Sequence, residues 1–492
     1  MWPFSRKSNR NDRWNPERPL VRWSRREAWS LRDAWNGTLI LGATGSGKTS
    51  GSGQMIAEAF LNGFGGLVLT SKPDERDLWI SYCRRTGRLS DLVVFGLDQP
   101  WRFNFIAHAM SRSSGGAGLT ENVVNLLSTV LELGDRNSGQ GSGRQDEAYW
   151  RRANRQLCRN LVDLLALSGG RITIPDLYRL VVSAPTSREQ IASDDWKRNS
   201  FCFHSLAEAD KRPKTPRERR DLETVADYFL VEYPNLSDKT RSVIVSTFTS
   251  MIDVLNRGIL RELFCTETNL TPDAVEDGKI ILIDLPVKEY AEVGQFAQVI
   301  WKYVFMRSIE RRDIRLSPRP VFLWADEAQN FLTSYDFQFA TTCRSARVAT
   351  VLLSQNVSNF FAVLGGEQAG KAQADSLFGN LNTKIFHANG DPVTNEWAAT
   401  LIGRTRQFFV NANNSYQPDD WMASGSWSRP EPHTSAGVSE SYEYEVQPSV
   451  FTTLRTGGPE NQCNVDAIVV QNGRTFADTG RGWRLATFGQ RR

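Results

Sequence analysis

Gly42-Ala43-Thr44-Gly45-Ser46-Gly47-Lys48-Thr49 follows the apolar run Thr38-Leu39-Ile40-Leu41 and precedes a helix-like run from Ser50 to Phe60. The eight residues fit the pattern G-x-x-x-x-G-K-[ST] at every fixed position, between a strand and a helix as that pattern requires. Small residues let successive backbone N–H groups curl round a polyphosphate, and the helix that follows turns the positive end of its dipole toward the same charge. Gly42, Thr44, Gly45, Ser46, Gly47, Lys48, Thr49 and Ser50 are therefore expected to cradle a nucleotide, with Lys48 on the β- and γ-phosphates. The Thr49 hydroxyl is expected to ligate Mg²⁺, which keeps most of its waters and takes few protein ligands.

Working outward, the 492 residues allow two or three domains of ordinary size. Cys83, Cys158, Cys202, Cys265, Cys343 and Cys463 form no C-x-x-C pair, so neither a disulfide framework nor a zinc site is indicated and a cytoplasmic location is expected. No run approaches the ~18 to 20 consecutive apolar residues of a membrane span, and the N-terminus lacks the apolar stretch of a signal peptide. The formal charge of +4 is uneven: residues 1–30 carry eight Lys or Arg against three acidic residues, and the remainder is close to neutral. The arm over 1–37 interleaves that charge with Trp2, Phe4, Trp14, Trp23 and Trp29. It reads either as a phosphate- or lipid-binding segment or as a solvated tail whose tryptophans pack on the body of the protein or on a neighbour. Pro3, Pro16 and Pro19 argue against one continuous amphipathic helix.

From Thr38 the order is strand, phosphate loop, helix and strand (Gly66 to Thr70), then a helix with Trp79, Ile80 and Tyr82 and the run Leu92 to Phe95. Alternation of this kind implies a parallel sheet with crossover helices, so residues 38–112 read as the first half of an α/β domain. Over 113–262 apolar residues recur at three and four, as in Val123 to Leu133 and Ala148 to Leu167, which reads as an all-α insertion. The α/β pattern returns over 263–492 with Gly278 to Asp284, a helix from about Gly294 to Arg312, Pro320 to Glu327, an Arg-bearing helix over Phe339 to Arg347, Val348 to Gln355, and Thr383 to Ala388. An Asn/Ser/Pro-rich, irregular excursion is expected over 411–448. Short closing strands are expected at Ala467 to Val470, Arg474 to Phe476 and Trp483 to Phe488.

A phosphate loop needs a second carboxylate for Mg²⁺ and a group to orient the attacking water. Asp326-Glu327 ends a strand and can divide that work: Asp326 for the metal, Glu327 for the lytic water. Asp284 also ends a strand, but Leu285-Pro286 beside it offers no base, and it reads better as a strand-end residue capping a loop. Gln355 ends the next strand and is placed to sense a γ-phosphate, or is an ordinary buried amide. Arg344 and Arg347 are candidates for an arginine acting on a neighbouring subunit's nucleotide, or are solvated helix charges, with Arg404 and Arg406 weaker candidates. His108, His204, His387 and His433 have no metal-ligand spacing, and a Ser/His/Asp hydrolase is unsupported.

Taken in order, the phosphate loop, Ser71-Lys72-Pro73-Asp74-Glu75-Arg76, Phe103-Asn104-Phe105-Ile106, Gly278 to Pro286, Asp326-Glu327-Ala328-Gln329-Asn330-Phe331, Ser354-Gln355-Asn356 and Asn380-Leu381-Asn382-Thr383-Lys384-Ile385 resemble the TraG/TraD-type conjugative coupling ATPases of the FtsK/HerA superfamily. The resemblance runs from about Thr38 to the C-terminus. It implies an α/β fold, a RecA-like P-loop NTPase domain with a mostly parallel twisted sheet interrupted by an all-α domain. It also implies a homo-hexameric ring with ATP and Mg²⁺ between subunits. The implied work is ATP-driven pumping of relaxase-delivered DNA toward a type IV secretion channel. Carried over residue by residue, Lys48 and Thr49 act on phosphate and Mg²⁺, Asp326 on Mg²⁺, Glu327 on water and Gln355 on the γ-phosphate.

Two departures stand out. Such ATPases typically begin with transmembrane helices, whereas here a basic, Trp-rich arm precedes the first strand, so docking on a separate membrane subunit, a peripheral position at the inner face of the membrane, or a soluble DNA motor of another system are the alternatives. Ser71-Lys72-Pro73 also stands where an Asp-x-Lys-Gly-like turn is expected, and no role is assigned to it. Protein cargo, and an assembly platform that binds ATP with little hydrolysis, are the competing functions.

Overall fold

Parallel strands sheathed by helices on both faces must be apolar throughout, and the strands at Thr38–Leu41, Ile280–Ile283, Val321–Ala325 and Val348–Ser354 are buried along their whole length. The computed structural model describes residues 13–111, 119–138, 144–170, 172–415 and 433–490. These form two compact units. One holds residues up to Ile40, Gly53–Ser354 and Asn359–Thr383; the other holds Leu41–Ser52, Gln355–Ser358 and Lys384 onward.

The larger unit opens with β1 (Pro19–Arg22) paired antiparallel to β2 (Ala28–Ser30) and a short helix, Leu31–Trp35, before β3 (Thr38–Leu41). Residues 13–37 are thus folded rather than a free arm. Trp29 is fully buried, stacks on Phe60 at 6.0 Å and donates its ring N–H to the Thr383 hydroxyl at 3.2 Å, while Arg18, Arg22, Arg25 and Arg26 face solvent. The apolar area of the tryptophans decides this outcome, because aromatic rings of that size gain most by packing. Residues 1–12, with Trp2 and Phe4, lie outside the described residues.

The sheet of this unit contains β4 (Gly65–Leu69), β5 (Leu92–Phe95), β6 (Ile280–Ile283), β7 (Val321–Ala325) and β8 (Val348–Ser354), in the spatial order β8-β7-β4-β6-β5 and parallel at every pairing. Phe60, Phe322 and Trp79 stack in succession at 5.6 and 5.8 Å. Gly66 pairs with Phe322 across β4 and β7, and a Cβ there would meet that ring at 2.4 Å, which explains a glycine inside a central strand. Elsewhere in the unit Trp301, on the helix Val287–Glu310, packs against Phe95 and Phe103 at 4.9 and 4.4 Å. That helix begins before the expected Gly294 and is broken at Ala291, whose φ is 46°.

Between β5 and β6 the described residues are helical, from Phe105–Ser111 through Gly258–Phe264, with no strand. The helices carry their own start signals: Thr173 caps Ile174–Val182 and Thr215 with Glu218 forms a capping box on Pro216–Asp227. They belong to the same unit as the parallel sheet rather than to a separate one. Among the described residues no single helix is long and apolar enough to cross a membrane.

The second unit contains all but the first residue of β9 (Thr383–Phe386), the ribbon β10 (Arg404–Ser415) with β11 (His433–Tyr444), and β12 (Asn464–Gln471) paired antiparallel to β13 (Trp483–Gly489). Where irregular chain is expected over 411–448, the described residues 411–415 and 433–444 lie in the ribbon. Twelve cross-strand pairs run from Arg404 opposite Tyr444 to Ser415 opposite His433. Phe408, Val410, Val438 and Tyr442 are exposed on it, so no buried face imposes the apolar alternation by which strands are read. Residues 416–432 lie outside the described residues. Arg474 to Phe476 is irregular chain with a single antiparallel bridge from Phe476 to Arg481 and not a strand, and the strand expected as Val348 to Gln355 ends at Ser354.

Lys384 is buried on β9, its Nζ reaching the Asn472 amide oxygen at 3.5 Å. Burial holds its pKa down to about 8, against 10.5 for the free side chain. Below pH 8 the folded chain carries a desolvated charge; between 8 and 10.5 it has shed a proton that the unfolded chain keeps, so stability rises with pH across that window. Lys384→Met is therefore expected to stabilise the protein by about 3 kcal/mol near pH 7. Denaturant unfolding at both ends of the window should show the gain vanish above pH 10.5.

Candidate nucleotide site

The phosphate loop is held by backbone and close packing within the smaller unit. The Ala43 N–H donates to the Ala388 carbonyl at 2.9 Å, Ser46 N–H to Ala43 at 3.1 Å, and Gly51 N–H to Gly47 at 2.7 Å. A Cβ on Gly42 would meet the Ser46 hydroxyl at 2.5 Å and His387 Cβ at 2.7 Å. One on Gly47, whose φ is +80°, would meet Val465 at 2.6 Å. Both glycines are thus demanded by contact and not only by the phosphate pattern. The expected helix from Ser50 starts differently: Thr49–Gly53 makes one wide π-helical turn, and the α-helix proper is Gln54–Leu61.

Beneath the loop, His387 Nε2 lies 2.7 Å from the Ser52 hydroxyl. Burial, with Lys48 adding to it, drops the imidazole pKa to about 3, so the ring is neutral and serves as a brace. The Ser50 hydroxyl accepts from the Gln490 amide at 2.8 Å. Thr44 and Gly45 are exposed, Lys48 is buried, and the Ser46 hydroxyl is buried with no partner among the described residues. An open glycine crest over an orphaned buried hydroxyl and a buried lysine fits a polyphosphate.

The carboxylates lie in the larger unit at the end of β7. Asp326 and Glu327 are 3% and 4% exposed, which is deep for adjacent acids. Glu327 has φ 48°, a left-handed conformation that costs a non-glycine residue on the order of 1–2 kcal/mol. Its own N–H donates to Asp326 Oδ1 at 2.9 Å, and its carbonyl accepts from Asn330 N–H at 3.0 Å, so the turn is closed from both sides. Stored strain of this kind belongs with sites where a side chain must point one way.

Three further residues meet this pair. The Gln329 amide donates to Glu327 Oε2 at 3.1 Å and accepts the Ser354 hydroxyl at 2.8 Å; the Lys72 Nζ lies 3.7 Å from Glu327 Oε1. Ser71 donates its hydroxyl to the Asp326 carbonyl at 3.1 Å, and Glu75 accepts the N–H groups of Ser71 and Lys72 at 3.2 and 3.1 Å. Burial works against the Lys72 ammonium, but Asp326, Glu327, Glu75 and Asp74 outweigh it and its pKa is raised. Burial and then Asp326 push the Glu75 carboxyl well above the ordinary range. Lys72, Glu75, Gln329 and Ser354 carry no assignment from the sequence. The signal was the loop after the second strand, but its nearness to Asp326 follows only from knowing that β4 and β7 are neighbours, with Leu69 opposite Ala325.

The remaining candidates are placed as follows. Gln355 is half-buried just after β8, its backbone carbonyl accepting the Asn389 side chain at 2.9 Å. Arg347, at φ 53°, donates to the Pro318 carbonyl at 3.2 Å and lies over the Trp35 ring at 5.4 Å, while Arg344 is exposed. Arg404 lies over Tyr444, and Arg406 pairs with Glu440 along the ribbon. Asp284 pairs with Arg76 at 2.9 Å on the wall of a cleft of about 350 Å³. Among the described residues no group of three or more His, Cys, Asp or Glu could hold a metal.

A phosphate loop on one strand, an acidic pair ending another and a mostly parallel sheet clothed in helices define the P-loop nucleotide-binding class. Residues 320–437 match the family model described as the TraM recognition site of TraD and TraG. Among solved structures, the unbound bacterial conjugative coupling protein TrwBdeltaN70 aligns at 15% identity and a TM-score of 0.61, covering 96% of this chain and 89% of that one. The plasmid coupling protein TrwB in complex with ADP and Mg²⁺ aligns at 16% identity and a TM-score of 0.60, covering 94% and 88%. TrwB with a non-hydrolysable GTP analogue aligns at 16% and 0.58, covering 94% and 89%. Among curated proteins no sequence matches. The likeness to TraG/TraD-type coupling ATPases read from the motifs is borne out by both kinds of match, and the fold is that of TrwB, a RecA-like P-loop domain.

Proposed function

We propose that this chain is an ATP-hydrolysing ring motor that moves DNA, coupling a relaxase-bound substrate to a type IV secretion channel from the cytoplasmic side. The observation that carries this reading is a phosphate loop complete at every fixed position together with a buried, strained Asp326-Glu327 pair, on a fold shared with coupling proteins over nearly the whole chain.

In this reading the N–H groups of the loop that are not engaged by the Ala388 and Ala43 carbonyls bind the phosphates and Lys48 neutralises the β- and γ-oxygens. Thr49 and Asp326 would hold Mg²⁺, directly or through its waters. Bound there, the ion would supply positive charge against the negative charge that develops on the phosphates. Glu327 takes the proton of the attacking water, and Gln355 reads the γ-phosphate. Arg344, exposed and, among the described residues, without the ring and carbonyl contacts that engage Arg347, is the arginine that acts on the next copy's nucleotide. A homo-hexamer, a relaxase and a membrane-embedded secretion subunit are the partners this implies.

The test is ATP turnover by the full chain, with and without single- and double-stranded DNA, over a range of protein concentration. DNA is expected to raise turnover, and turnover per chain should climb as subunits assemble. Activity indifferent to DNA and to concentration contradicts the proposal, and binding without turnover favours an assembly platform.

A further inference from the structure

The ends of three neighbouring strands converge on one carboxylate. Ser354 closes β8, Glu327 and Gln329 follow β7, and Lys72 follows β4. The chain Ser354 Oγ to Gln329 Oε1 (2.8 Å) and Gln329 Nε2 to Glu327 Oε2 (3.1 Å) occupies one carboxylate oxygen with a neutral amide. The Lys72 ammonium faces the other oxygen at 3.7 Å, inside ion-pair range but beyond a good hydrogen bond. The two oxygens of Glu327 are therefore treated differently. One is bonded to a planar amide that is itself held at its far end; the other meets a cation at a looser distance on a flexible stem.

The two partners are held just as deliberately. The backbone N–H groups of Ser71 and Lys72 are clamped by the buried Glu75, and the Ser71 hydroxyl ties the same loop to the Asp326 carbonyl and accepts from Asn330 at 3.2 Å. Asn330 is fixed in turn by Gln295, which donates to its carbonyl at 2.6 Å. A base that must present one lone pair to a water gains from such orientation, because misplacement of a reacting group is costly in rate.

We propose that Lys72 and Gln329 are positioning residues for Glu327: Gln329 fixes the rotation of its carboxylate and ties it to the end of β8, and Lys72 holds the second oxygen toward the position of the attacking water. Neither touches the reacting atoms. The inference rests on the reading of Glu327 as the base for hydrolysis.

The experiment is steady-state ATP turnover by the full chain with DNA, comparing Lys72→Met, Lys72→Arg and Gln329→Leu, each alone and in the Glu327→Gln background. Lys72→Met and Gln329→Leu should each lower kcat about 10- to 100-fold, with KM for ATP within about twofold of the unsubstituted chain. Lys72→Arg, which keeps the cation, should recover most of the lost kcat. In the Glu327→Gln background neither substitution should cost more, since the group they orient is gone. Unchanged kcat, losses that add in full to that of Glu327→Gln, failure of arginine to rescue, or a loss shared equally by KM and nucleotide binding overturns the inference. Full turnover by Glu327→Gln alone overturns the underlying reading instead.

Discussion

Lys48→Ala is expected to lower ATP turnover at least about 100-fold and to weaken nucleotide binding by about 2–3 kcal/mol, roughly 30- to 150-fold. The substitution removes the one buried cation of the phosphate loop and little of what shapes the loop. Its course is set by the Ala43–Ala388 and Gly51–Gly47 backbone bonds and by the close approach of Gly42 to His387 and Gly47 to Val465, none of which involves the Lys48 side chain. The neutral His387 beneath cannot substitute for the lost charge. Titration with a fluorescent ATP analogue, with a thermal melt as the fold control, separates the loss of charge from a loss of structure. Wild-type affinity in this variant contradicts the assignment of the loop.

Glu327→Gln is expected to act on the other half of the chemistry, lowering turnover about 10²- to 10⁴-fold while leaving ATP affinity intact. Glutamine is nearly isosteric, so the left-handed turn, the N–H bond to Asp326 and the packing survive; what disappears is an acceptor basic enough for a proton. Lys72 loses its ion-pair partner, but its side chain is 31% exposed, so the stability cost should stay below about 1 kcal/mol. The variant should hold ATP without consuming it, seen as stoichiometric retention of labelled nucleotide after gel filtration. Release of product at the unsubstituted rate contradicts the role given to this carboxylate.

How much of this was legible before the fold was known depended on whether the signal was local. Leu39 to Leu41, the phosphate loop and the run to Phe60 are contiguous, and their chemistry is written in spacing alone. Asp326-Glu327 was also within reach, since acids that end an apolar run stand at the mouth of a parallel sheet. The role of Lys72 was not, because it depends on the order β8-β7-β4-β6-β5, in which strands far apart in sequence lie side by side. The left-handed backbone at Glu327 has no sequence signature either, since glutamate gives no hint of positive φ. Trp23 and Trp29 looked like parts of a basic arm because charge dominates their window, yet it is their rings that are buried. The ribbon from Arg404 to Tyr444 escaped for the opposite reason: with apolar side chains exposed along it, it has no core to impose a pattern.

The central claim, that nucleotide hydrolysis by this chain moves it along DNA, is tested most directly by displacement of streptavidin from the biotinylated end of a DNA duplex. The account predicts displacement by the unsubstituted chain with ATP and Mg²⁺, and none with a non-hydrolysable analogue or with Lys48→Ala or Glu327→Gln. Robust ATP turnover on the same DNA with streptavidin left in place would contradict it.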